Sequence, residues 1–136
     1  MWSSKAFLGR CEKLKELGVF SDISTGTRVA RGFADLGYEE FYCLSNKKLV
    51  SVFTGHVSDF TPEHQHFFFT VPGVEGLVDA IAKKNFNVDS FTFVDQRTWA
   101  VVLRHAQNDE RVETRDRELV CALSDALIQI AGSPAA

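Results

Sequence analysis

FTFVDQRTWAVVLR, residues 91–104, sets two strand-like runs on either side of four turn-forming residues. Phe91 and Phe93 alternate with Thr92 and Val94. Beyond the break, Trp99, Val101 and Leu103 alternate with Ala100, Val102 and Arg104. A period of two on both sides of Asp95-Gln96-Arg97-Thr98 predicts a β-hairpin over residues 89–104. A hairpin pairs its strands antiparallel, so at least part of the sheet is antiparallel.

Upstream, Pro72-Gly73 punctuates the chain. Val74, Leu77, Val78, Ile81 and Ala82 then recur at helical spacing and end on Lys83 and Lys84, where the helix dipole favours cations. Before the break, residues 66–71 include Phe67-Phe68-Phe69. This run is too short for a lone helix and apolar on both faces, which predicts a strand inside a sheet, covered on both sides. Residues 55–65 are polar and carry Pro62, so a loop is expected there. Tyr38–Ser45 and Leu49–Thr54 read as an earlier hairpin turning at Ser45-Asn46-Lys47-Lys48.

Nearer the N-terminus, Phe7, Leu8, Cys11, Leu14 and Leu17 make an amphipathic helix capped by Ser3 or Ser4 and stopped at Gly18. Val29, Ala30, Phe33 and Ala34 predict a second short helix closed by Gly37. Downstream of the hairpin, residues 106–113 read as a charged linker. Leu119, Ala122, Leu123, Ala126, Leu127 and Ile130 mark a helix over 115–131, with Thr114 as its cap and Gly132-Ser133-Pro134 as its end. The expected class is α+β: a mostly antiparallel sheet of about five strands, packed with N-terminal, middle and C-terminal helices. Neither a repeat nor a linker divides the sequence, and one domain over 1–136 is expected.

Composition narrows the function. The 136 residues are 45% hydrophobic and 24% charged, an ordinary globular mixture. Residues 1–68 hold eight basic and eight acidic side chains, and residues 69–136 hold seven and ten. Neither half has the basic excess that nucleic acid or an anionic membrane surface demands. Cys11, Cys43 and Cys121 are scattered without a CxxC unit and read as buried apolar residues, not as disulfides or zinc ligands. With no signal-peptide pattern at the start and no apolar run near about 18 residues, the cytoplasm is the expected location.

Two groups of residues could carry chemistry. His56, Asp59, Glu63, His64 and His66 crowd into eleven residues and are ligand types that suit zinc or another transition metal. On an extended segment His64 and His66 would share a side. Loop histidines also serve as plain polar surface, and the spacing matches no metal-binding helix. The second group is Asp95, Arg97 and Trp99, with Arg104 and His105 at the far end of the same strand. Arg and Trp dominate protein interface energetics, and a hairpin displays them well. No GxSxG elbow, phosphate loop or dinucleotide fingerprint is present, so nothing in the motifs argues for an enzyme.

Twelve Phe, two Trp and two Tyr are a large aromatic load for a domain that buries roughly two thirds of its surface. The leading expectation is therefore a non-catalytic binding or regulatory module that recognises a protein partner or its own copy as a homodimer. The alternative is a small metal-assisted enzyme, or a small-molecule binder using loop 56–66 and a Phe-lined pocket. No cofactor is expected beyond that zinc.

Overall fold

In the computed structural model, residues 3–20, 23, 26–33, 37–44 and 47–132 are described. Trp2, Ala34, the Ser45-Asn46 part of the first turn and Ser133-Pro134 lie outside the described residues. The chain, expected from its sequence as one domain, forms two compact units, Met1–Pro72 and Gly73–Ala136.

The first unit opens with α1 (Lys5–Glu16). The Ser4 hydroxyl accepts the Phe7 amide at 3.1 Å, capping one of the free N–H groups of the first turn. Gly18 ends the helix at φ 80°, a conformation glycine adopts without steric cost. Phe7, Leu8, Cys11 and Leu14 are buried on one face, as their spacing predicts.

Five antiparallel strands follow: β1 (Arg28–Phe33), β2 (Gly37–Cys43), β3 (Lys48–Ser51), β4 (Val57–Asp59) and β5 (Phe68–Thr70), in the order β4-β3-β2-β1-β5. The expected hairpin is β2–β3, with Tyr42 opposite Val50.

Three expectations change in this unit. The short helix at 29–34 is instead the strand β1, hydrogen-bonded to β2 on one side and β5 on the other. Neighbouring apolar residues fit a helix stripe, but they fit equally a strand covered on both faces, and Val29 and Ala30 are both fully buried. Gly32 lies opposite Tyr38, and a Cβ there would come within 3.2 Å of the Tyr38 ring. The aromatic ring thus fills the space a side chain would occupy.

The Phe run is the second change. Strand β5 lies at the sheet edge, not inside it. Its residues are buried all the same. The Phe41 and Phe60 rings meet Phe68 edge-on at 5.6 and 5.2 Å, and Tyr38 meets Phe69 at 5.8 Å. Lys15 of α1 donates to the carbonyls of His66 and Phe68. Third, the 55–65 loop contains β4 and leads into a 3₁₀ helix, Pro62–Phe67.

The second unit runs α2 (Val74–Lys83), β6 (Phe86–Asp95), β7 (Thr98–His105), β8 (Arg111–Asp116) and α3 (Leu119–Gly132). Strands β6, β7 and β8 form an antiparallel sheet in that order. The hairpin β6–β7 turns on Gln96-Arg97, with Asp95 opposite Thr98. The charged "linker" becomes the edge strand β8, a further correction. Its charges alternate: Arg111, Glu113 and Arg115 are exposed, while Val112, Thr114 and Asp116 are more covered. Charged outward residues are a usual protection of a sheet edge. Thr114 does not cap α3 but donates its hydroxyl to the Ala122 carbonyl at 2.6 Å. Leu123 and Leu127 are fully buried.

The structure is thus α+β with antiparallel strands, eight of them in two sheets among the described residues. No helix among the described residues is long and apolar enough to cross a membrane.

Candidate functional site

The two expected residue groups sit in different units. In the second unit, the Asp95 carboxylate accepts the Arg97 amide at 2.9 Å, closing the turn on itself. Trp99 stacks on Phe93 with ring centroids 4.1 Å apart, and Phe91 flanks it at 6.3 Å. Phe91 and Phe93 remain 47% and 56% exposed.

Arg104 and His105 lie at the opposite end of β7. Five residues at about 3.4 Å each separate Trp99 from Arg104 by about 17 Å, so the five do not form one site. Arg104 pairs with Asp89 across the strands at 3.3 Å. His105 packs edge-on against Phe86, and its Nδ1 accepts the amides of Gln107 and Asn108 at 3.2 and 3.3 Å. That ring therefore terminates the strand. What stands out at the tip end is the aromatic group Phe91, Phe93 and Trp99, of which only Trp99 belongs to the expected set.

In the first unit, the expected metal ligands are dispersed. Pro62 starts a 3₁₀ helix, where residues two apart point about 240° from each other, so His64 and His66 do not share a side. The His66 ring lies against Phe67 at 3.9 Å. The His64 Nδ1 sits 3.1 Å from the Thr61 hydroxyl. Asp59 is bound by Lys48 across β3–β4, and that hydrogen bond and charge hold its carboxyl below the ordinary aspartate value. Glu63 is exposed. Among the described residues, the ligand atoms that gather within 4.8 Å of one another belong to Asp116, Glu118 and Cys121. Those three stand at the start of α3, where the Asp116 carboxylate accepts the Glu118 amide at 3.0 Å and the Cys121 thiol lies 3.4 Å from the Glu118 carboxylate. Acids at a helix start complement its dipole and need no ion.

His56, Asp59 and His64 do share a cleft of about 600 Å³ on the sheet of the first unit. Strand alternation places Arg31 and Phe33 of β1 and Glu39 and Phe41 of β2 on this face. Phe41, Leu49 and Phe68 supply its apolar part. Alongside lies a core of Val29, Cys43, Leu49, Phe60 and Phe68, whose burial pushes the Cys43 thiol pKa upward. The opposite face of the sheet carries Tyr38 and Glu40. Burial, followed by the hydrogen bond to Glu12, raises the Tyr38 pKa. Glu40, only 1% exposed, accepts the Ser3 amide and lies 3.3 Å from Arg28.

Arg31, Glu39 and Phe41 escaped the sequence reading. Arg31 was hidden because residues 29–34 read as a helix, whereas Glu39 and Phe41 lay in the expected strand Tyr38–Ser45 but without the neighbouring strand β1 that makes their face a cleft wall. Against protein-family models, curated proteins and solved structures, the chain finds no match.

Proposed function

We propose that the protein is a non-catalytic binding module of a reducing compartment, the cytoplasm, and that it associates with a second copy of itself through the hairpin β6–β7. One observation carries this reading: Phe91 and Phe93, about half exposed, lie against Trp99 of β7 from β6, which among the described residues is an edge strand of its sheet. Val94, also exposed, extends the apolar surface on the same strand. Water contact with so much aromatic area is unfavourable at about 25 cal/mol per Å², and a second copy is the partner always present. The β-bulges near Val88 and Phe93 limit open-ended edge pairing, which favours a closed pair over a fibre. All three cysteines are buried, as small apolar thiols of a reducing compartment commonly are.

A stable pair buries on the order of 1,200 Å² or more in total. Light scattering across a wide concentration range is expected to give twice the 15.2 kDa chain mass. Phe93→Ser, at an exposed position, is expected to return the monomer without loss of the folded spectrum. A wild-type mass that stays at one chain up to high concentration overturns self-association.

A further inference from the structure

The cleft of the first unit has a chemistry that self-association does not use. Its volume of about 600 Å³ is within the range of small-molecule sites, typically 300–1,000 Å³. Most of its charged groups are already engaged. Asp59 is held by Lys48, and the Glu39 carboxylate accepts the Ser51 hydroxyl at 3.0 Å.

Arg31 is different. It faces Glu39 directly in the strand register, yet among the described residues its guanidinium forms no ion pair or hydrogen bond. Its guanidinium instead lies 5.0 Å from the ring centroids of both Phe33 and Phe67. Two aromatic faces hold the planar group in place and leave its N–H fork uncommitted.

We infer that this cleft binds a small planar carboxylate, a one- or two-ring acid, whose carboxylate meets the Arg31 fork and whose ring lies against Phe41, Leu49 and Phe68. A carboxylate matches the fork with two parallel hydrogen bonds. The neighbouring Glu39 charge disfavours a doubly charged phosphate in the same position, because like charge repels. His56 and His64 on the rim add polar groups that can orient a second substituent.

Amide-resolved NMR titration of the full chain separates the outcomes. Benzoate and indole-3-acetate are expected to produce saturable shifts at Arg31, Phe41, Leu49 and His56. The neutral amides benzamide and indole-3-acetamide, and the dianion phenyl phosphate, are expected to bind at least about tenfold more weakly, a difference of about 1.4 kcal/mol. Arg31→Gln should weaken the carboxylates by a similar factor while the rest of the spectrum is unchanged. Arg31→Lys, which keeps the charge and removes the fork, should fall between. The inference is overturned if neither carboxylate gives saturable shifts, if the amides or the phosphate bind as tightly, or if Arg31→Gln binds like the wild type. Shifts confined to residues 91–99 would also overturn it, since they would assign the binding to the hairpin.

Discussion

Lys15 answers a problem that a short edge strand creates. Among the described residues the outward side of β5 has no strand to pair with, and the Phe68 carbonyl there is part-buried. The Lys15 ammonium reaches from α1 to the Phe68 carbonyl at 2.8 Å and to that of His66. A charged donor to a half-buried carbonyl is worth more than a neutral one, about 1.5–3 kcal/mol. Lys15→Met keeps most of the stem and deletes the donors. It is expected to lower stability in urea by about 1–2 kcal/mol, since water recovers part of the loss at the exposed His66. A cost indistinguishable from zero would mean that water already serves the Phe68 carbonyl. Nothing in the Phe67-Phe68-Phe69 run could reveal this arrangement. The sequence marks the burial of Phe68 and Phe69 but not the exposure of Phe67, which ends the 3₁₀ helix 48% exposed. Whether a strand or a lysine occupies the free side of β5 depends on a residue more than fifty positions away. The site residues illustrate the same limit. Asp95 was legible as a turn residue because its bond to the Arg97 amide is local, whereas the cleft pairing of Arg31 with Phe33 and Phe67 joins two distant segments.

At the scale of elements, periodicity was readable wherever one face is buried and the other wet. The α1, α2 and α3 stripes and the β2–β3 hairpin satisfy that condition. By contrast, β7 buries Ala100 to Leu103 in succession and β6 is mostly exposed, so the second hairpin was legible from its turn residues and its β-branched and aromatic composition. Strand β1 does not satisfy it either, because both its faces are covered, and its apolar residues then lose the alternation that identifies a strand. Strand β8 fails for the opposite reason: its inward residues are Val112, Thr114 and Asp116, so only one strongly apolar side chain marks the period. The start of α3 moves with it, from Arg115 to Leu119. The α3 stripe itself makes a firm energetic claim. Leu123 and Leu127 are fully enclosed, and helix α3 packs on β7, β8 and α2. Leu123→Ala removes three heavy atoms from a closed site and leaves a cavity, so a loss of about 2–5 kcal/mol is expected in equilibrium unfolding. A cost below about 0.5 kcal/mol would show that α3 can shift to fill the space, and that its packing is looser than its burial indicates.

For the whole molecule, the division at Pro72-Gly73 sets two accounts of folding against each other. A single cooperative domain over residues 1–136 loses all its slow-exchanging amides together. Two units with separate cores lose them in two groups. Each unit has fewer than about 75 residues, a size at which one core seldom supplies more than about 3–5 kcal/mol. A large core deletion in one unit should then be close to the limit of what that unit tolerates. Leu14 and Leu123 are the matched probes, both fully buried and each inside its own unit. Leu14→Ala is expected to speed hydrogen exchange at Val29 and Phe41 while Val101 and Leu103 stay slow. Leu123→Ala should do the reverse. Equal acceleration of both sets by either variant would show that the chain unfolds as one domain, as its sequence, without any linker, suggests. Separate responses would establish that the break at Pro72-Gly73 divides two folding units, each held by its own sheet and helices.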